Sequence, residues 1–177
     1  MQPNLLGFRP KQVYVPRVAP SEPAAALDPD IVDFIHGGVM AGVVTRDDGL
    51  KPAFARAWAP RVSEDGLTLT LCVPAPEGSA MRSNLEGNGA VAVGFSPPTI
   101  ARAVQLKGVA TAVREPEPAE LELIDRHFER FQAECDRIGA PREVSGRMLD
   151  RTGLVTVTFP IAEAFEQTPG PTAGRRL

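Results

Sequence analysis

Hydrophobic positions recur along this chain in two rhythms. Between Val39 and Val73, and again from Leu154 to Phe159, they tend to alternate with small or polar residues. Between Pro118 and Ile138 they return every third or fourth residue. The first rhythm predicts half-buried strands and the second a one-sided helix. Val39–Thr45 and Ala53–Pro60 are expected as strands joined by the turn Arg46-Asp47-Asp48-Gly49. After the turn Ser63-Glu64-Asp65-Gly66, a third strand runs from Leu67 to Val73, with Leu67, Leu69 and Leu71 on one face and Thr68, Thr70 and Cys72 on the other. Ala90–Phe95 is almost wholly apolar or small, as in a strand covered on both sides. Arg102–Arg114 is expected as one long fifth strand, in which Gly108 marks a bulge or a close backbone approach, and Leu154–Phe159 as the last strand.

Helices are predicted from stripes and caps. Asp28 suits an N-cap, Pro29 the first helical position and Asp30 the positive helix end, ahead of the apolar stripe Ile31, Phe34 and Ile35. Gly37-Gly38 stops that helix. Ser79 caps a short helix ending near Gly87-Asn88-Gly89. The long helix, Pro118–Ile138, carries Leu121, Ile124, Phe128, Phe131, Cys135 and Ile138 on one stripe, and Arg142–Asp150 holds a further short helical piece. Strands joined by tight turns pair antiparallel. The order therefore predicts a β-rich α+β fold, a mostly antiparallel, closed or split β-barrel with peripheral helices.

Three segments follow. Residues 1–27 form a Pro-rich arm (Pro3, Pro10, Pro16, Pro20, Pro23) with a possible short strand at Gln12–Val15; it is either flexible or wraps a partner subunit. Residues 28–166 form the domain. Residues 167–177 are a tail whose Thr168–Gly174 stretch either closes over a groove or frays.

Composition sharpens this picture. Eighteen Pro and sixteen Gly punctuate the 177 residues too often for a helical bundle. A net charge of −3 argues against a broad nucleic-acid surface. No apolar run reaches the ~18 residues of a membrane span, and the N-terminus has no secretory apolar core. Cys72 and Cys135 lie outside any CxxC spacing and read as reduced core residues of a cytoplasmic protein.

Little catalytic chemistry is visible. His36 and His127, the two histidines, have no metal-ligand spacing. His127 is expected as a solvated helix residue, and His36 as a favourable charge at a helix C-terminus. Gly87-x-Gly89-x-x-Ala92 imitates a dinucleotide fingerprint, but a strand follows it, so it reads as a turn. No GxSxG elbow or P-loop occurs. Arg46, Lys51, Arg56, Arg61, Arg82, Arg102 and Lys107 lie on strands, strand ends or the short helix, elements that can surround one groove. Ser79 at a helix start, followed by Arg82, is a candidate phosphate site.

The arrangement resembles the pyridoxamine 5′-phosphate oxidase-like family of FMN-binding split β-barrels. The resemblance spans roughly Asp28–Gly174. It is carried by the early helix and hairpin, Arg56-Ala57-Trp58, the run Asp65–Leu71, the run Ser79–Val93, Arg102–Gly108 and Ala164–Pro171. It implies a homodimer holding FMN at the subunit interface and oxidoreductase activity on an unidentified small molecule. Related barrels hold deazaflavin or haem instead, and a flavin-free barrel serving as a ligand-binding or interaction module is the alternative from another class. Carried over by position, Arg56 approaches the phosphate or ring edge, and Ala57 and Trp58 lie along the isoalloxazine. Thr70 and Cys72 meet the ribityl chain or phosphate, Ser79 and Arg82 serve the phosphate, and Arg102 and Gln105 come from the neighbouring strand or the partner subunit. The oxidases carry an Arg-Lys pair directly after the serine; here these positions are Ala80 and Met81. No residue is nominated as a catalytic acid or base.

Overall fold

The computed structural model describes residues 25–177. The strand expected at Gln12–Val15 and most of the arm lie outside this range. Helix α1 spans Pro29–His36, and the Asp28 carboxylate caps it by accepting the Asp30 N–H at 2.9 Å. Strands β1 (Met40–Arg46), β2 (Pro52–Val62) and β3 (Thr68–Pro74) follow as an antiparallel meander. Helix α2 (Ala80–Glu86) precedes β4 (Ala90–Ser96), and Ser79 Oγ caps it by accepting the Arg82 N–H at 3.1 Å.

The expected long fifth strand is two strands. β5 (Val104–Val109) pairs with β4, whereas β6 (Ala112–Arg114) pairs with β7 (Leu154–Pro160). The break has a physical cause. At Ala110 the backbone N–H turns to the Gly89 carbonyl, and at Thr111 it turns to the Thr158 carbonyl, so the chain passes from one part of the sheet to another. Gly108 does mark a close approach: a Cβ there would lie 2.3 Å from the Pro160 oxygen.

Between β6 and β7 lie α3 (Pro118–Arg137) and α4 (Arg142–Gly146). A short β8 (Glu163–Glu166), unforeseen in the sequence, pairs with β5. The strand order is β6-β7-β3-β2-β1-β4-β5-β8. Because β7 and β8 are nearly continuous in the chain, their junction closes the sheet. The Ile161 N–H bonds the Leu67 carbonyl at 2.8 Å, and the Ala162 N–H bonds the Lys107 carbonyl at 2.9 Å. The result is an antiparallel split β-barrel with peripheral helices, as the sequence predicts.

Leu69, Leu71, Val93, Leu106, Val157 and Phe159 fill the barrel interior. A second apolar cluster lies outside, where Ile124, Phe128, Phe131 and Cys135 of α3 cover Trp58, Ala59 and Cys72. Leu121 and Ile138, expected on the buried stripe, are exposed. The tail packs along β8: the Gly174 N–H bonds the Glu166 carbonyl, the Leu177 N–H bonds the Ala164 carbonyl, and Phe165 bridges Arg176. Among the described residues, no helix is long and apolar enough to cross a membrane.

The seam at Gly108 tolerates no side chain. Gly108→Ala is expected to lower unfolding stability by about 2 kcal/mol through overpacking against backbone, measured by urea denaturation. An unchanged midpoint would show that the β5 and β7 backbones can separate without cost.

Candidate functional site

Arg56 lies on β2 opposite Gly42 of β1. Its neighbour Ala57 points into the barrel core, so Arg56 points outward by the period of a strand. It lines a cleft of about 510 Å³ with Phe54, Ser79, Met81, Arg147 and Met148, among others. The Arg56 Nε is buried and has no hydrogen-bond partner among the described residues. A buried guanidinium N–H without an acceptor is costly, so the cleft suits an acceptor from outside. Arg147, just beyond α4, adds a second cation to the lining, while Asp150 adds one carboxylate. α4 is fixed to α3 by a hydrogen bond from Ser145 Oγ to Gln132 Oε1, both residues being buried.

Of the nine sequence-nominated residues, two line this cleft, Arg56 and Ser79, while Trp58 and Cys72 meet each other beneath α3. Arg82 turns along its own helix and pairs with Glu86. Ala57 faces the barrel interior. Trp58 is only 2% exposed, with its ring edge-on to His127, Phe128 and Phe131 of α3 at centroid distances of 5.5–5.9 Å. Thr70 shares a 3.0 Å hydrogen bond with Thr158. Cys72 is buried beneath α3, where loss of solvation raises its thiol pKa. Arg102 stacks its guanidinium 4.5 Å from the centre of the Phe34 ring, in a different cleft beside the C-terminal tail. Gln105 lies on the outer face of β5, in a shallow depression that shares Phe54 with the Arg56 cleft.

Arg147 was missed because nothing local marks it; the packing of α3 and α4 brings it to β2. His127 was also misread. It is 5% exposed, not solvated, and Ile124, His127, Phe128 and Phe131 follow the i, i+3, i+4, i+7 spacing that places it on the buried stripe. It packs against a bulge in β2 between Trp58 and Arg61, where Ala59 adopts φ +52° before Pro60. A proline within a strand signals such an interruption. In and beyond the bulge, where β1 no longer pairs with β2, two β2 backbone donors lack a strand partner, and the histidines satisfy them. The Ala59 N–H donates to His127 Nδ1 at 3.2 Å, and the Val62 N–H donates to His36 Nε2 at 3.0 Å. Both rings are thereby neutral acceptors. Burial lowers the pKa of each, that of His127 to about 4. His36 thus serves as an acceptor within the fold, not as the helix-end charge expected of it.

Glu120, at the start of α3, is 3% exposed. It accepts from Arg61 at 2.7 Å, from both terminal nitrogens of Arg114 at 2.8 Å, from Thr156 Oγ1 at 2.8 Å and from the Glu117 N–H at 2.9 Å. Burial alone would raise its pKa; these donors overcome that effect and hold it at about 2. With every acceptor site used, Glu120 is an anchor for α3 and not a free base. Among the described residues, no cluster of His, Cys, Asp and Glu is arranged to hold a metal ion.

No family model matches this chain, and no curated protein matches it. Similar backbones occur among solved structures. HupZ of Group A Streptococcus is 20% identical, with 84% of this chain aligned to 99% of that one at a TM-score of 0.49. A candidate pyridoxamine 5′-phosphate oxidase from Lactobacillus delbrueckii is 15% identical, aligned over 80% of this chain and 95% of that one, also at 0.49. An FMN-binding protein from Syntrophomonas wolfei is 11% identical, over 78% and 87% of the two chains, at 0.45. At these scores the similarities assign neither ligand nor activity. The strand order and the closure at the β7–β8 junction define the class, a split β-barrel.

Neutral His127 makes stability depend on pH. Its folded pKa lies below its unfolded value, so the unfolded chain binds more protons as pH falls. Stability is expected to be full above about pH 6.5 and to fall towards about pH 4, by on the order of 3 kcal/mol from this group. His127→Asn, which keeps an acceptor but does not titrate, should flatten the dependence in that window, read from urea midpoints at several pH values. An unchanged slope would show that His127 is not its source.

Proposed function

We propose that this chain is a homodimeric binder of a phosphorylated flavin-type cofactor, FMN first and deazaflavin second, and works as an oxidoreductase on a small molecule. The observation that carries the reading is the buried, unpartnered Nε of Arg56 in a cleft that also holds Ser79 and Arg147. These residues fit a phosphate group: guanidinium donors and a hydroxyl give charge-assisted bonds to its oxygens. Arg147 stands in for the cations absent at Ala80 and Met81. The family resemblance in the sequence points the same way. Bound flavin supplies hydride or electron transfer; the protein's part is to bind, orient and shield it.

The dimer is supported by the outer face of β1, β4 and β5. Gly42, Val44, Ala92 and Gly94 make it smooth and apolar, and Phe54 stands 61% exposed at its edge. A second copy seated there would border the Arg56 cleft through Phe54. Exposed apolar faces of this kind mark interaction surfaces.

Purified protein is expected to carry, or take up, a ligand absorbing at about 450 nm, the flavin band. Arg56→Ala should weaken FMN binding at least tenfold, as loss of a charge-assisted bond of roughly 1.5–3 kcal/mol implies. Arg82→Ala, whose side chain is paired with Glu86 outside the cleft, should change it little. Light scattering should give a dimer that Phe54→Asp dissociates. Protein that refuses FMN would sink the cofactor claim, and a strict monomer would sink the interfacial one.

A second reading has its own support. α3 covers Trp58, on which the resemblance would lay the flavin ring. A barrel that has given up flavin and holds another phosphorylated ligand at Arg56 fits that burial. Mass spectrometry of the ligand released from purified protein separates the two readings.

A further inference from the structure

At the other end of β2 lies a second cleft, of about 450 Å³, between the end of α1, the β2 bulge and α3. It is walled by Arg61, Arg126 and Arg130, by both histidines, and by the apolar surfaces of Pro60 and Leu123. Among the described residues, no carboxylate lines it. Arg61 is held by Glu120, and Arg130 donates to the His36 carbonyl at 2.8 Å. Arg126 makes no ion pair among the described residues and is exposed. Acids act on it from outside the lining: Asp33 of α1 on His36, Glu120 on Arg61, and on α3 itself Glu122, with Asp125 and Glu129 turned to Arg151 and Arg142.

The histidines give the cleft a donor character that their residue type alone does not dictate. Each uses one ring nitrogen to accept a backbone N–H from β2, so each neutral ring must carry its proton on the other nitrogen. For His127 that nitrogen is Nε2, which is buried and has no hydrogen-bond partner among the described residues. Nε2 is directed towards the Val39 carbonyl, which favours the protonated ring against the effect of burial, although strict hydrogen-bond geometry is not reached. The strained Ala59 backbone sits at the floor of the same cleft. Non-glycine residues at positive φ persist where the surroundings impose them, and such strain concentrates at binding and catalytic sites.

We propose that this cleft is a second ligand site, separate from the Arg56 cleft, which takes the phosphate of a small phosphate monoester. The phosphate meets Arg126 and Arg130 beside the two histidine rings, and the organic part lies on Pro60 and Leu123. Convergent cations without a carboxylate select an oxyanion, and guanidinium forks suit phosphate oxygens. The apolar wall and the cleft's size exceed what a bare ion requires. The site stands whether or not flavin binds at Arg56.

Because the chain has two histidines, its imidazole NMR spectrum is simple enough to report on the cleft directly. Full-length protein is titrated with inorganic phosphate at constant ionic strength, with chloride as the counter-titration. Saturable shifts of the His36 and His127 ring signals are expected with phosphate and not with chloride. Arg126→Ala, an exposed residue without an ion pair, should keep the thermal midpoint and weaken the phosphate affinity at least tenfold. Arg56→Ala should leave the histidine shifts intact. Phenyl phosphate should bind several-fold more tightly than inorganic phosphate. The proposal is overturned if chloride gives the same response, if Arg126→Ala binds phosphate like the parent, or if Arg56→Ala abolishes the shifts. Phenyl phosphate binding no better than phosphate would remove the monoester assignment.

Discussion

The crossing of backbone over backbone at Gly108 and Pro160 sets the rest of this molecule. There β5 and the end of β7 come so near that no side chain fits, and the next residues, Ile161 and Ala162, hydrogen-bond to Leu67 and Lys107 on either side. This short stretch turns a meander into a closed wall. Once the wall is closed, β2 has an inner face committed to the core and an outer face that something must cover. The chemistry of the chain is found on that outer face.

What covers it is α3, fastened at its start by Glu120. A carboxylate buried to this degree is tolerable only with full pairing, and five donors on four other residues supply it. The helix lies over Trp58 and Cys72 and divides the outer surface of β2 into two ends. Towards the strand's start it leaves the cleft around Arg56, Ser79 and Arg147. Beyond the bulge it leaves the cleft around Arg61 and the histidines. The bulge itself depends on α3, because His127 accepts the N–H that Ala59 withdraws from the sheet. A single helix therefore shapes both openings and separates them.

The sequence made most of this fold legible, for identifiable reasons. Capping at Asp28 and Ser79, the alternation in β3, and the stripe Ile124, Phe128, Phe131 are local signals, and local signals survive folding. What was hidden depends on non-local geometry. Nothing near Ala110 shows that the strand hands over from one partner to another, and β8 is too short to announce itself. The candidate site was legible in part. Arg56 and Ser79 share one cleft, but Arg147 reaches it only through the packing of α4 on α3. Trp58, aligned by resemblance with a flavin ring, is claimed by the helix instead. His127 reads as a solvated helix residue for want of a metal-ligand partner, although its position lies on the apolar stripe; a polar residue on such a stripe needs a partner, and here the partner is the Ala59 backbone N–H.

The central claim is that the outward-facing guanidinium of Arg56 awaits a phosphate. A crystal structure of the protein grown with FMN tests it most directly. The account predicts the phosphate in contact with Arg56 Nε, with Arg147 on its far side and a second protomer's sheet closing over Phe54. FMN bound with its phosphate elsewhere, or an Arg56 cleft filled by a side chain of the protein itself, would contradict it.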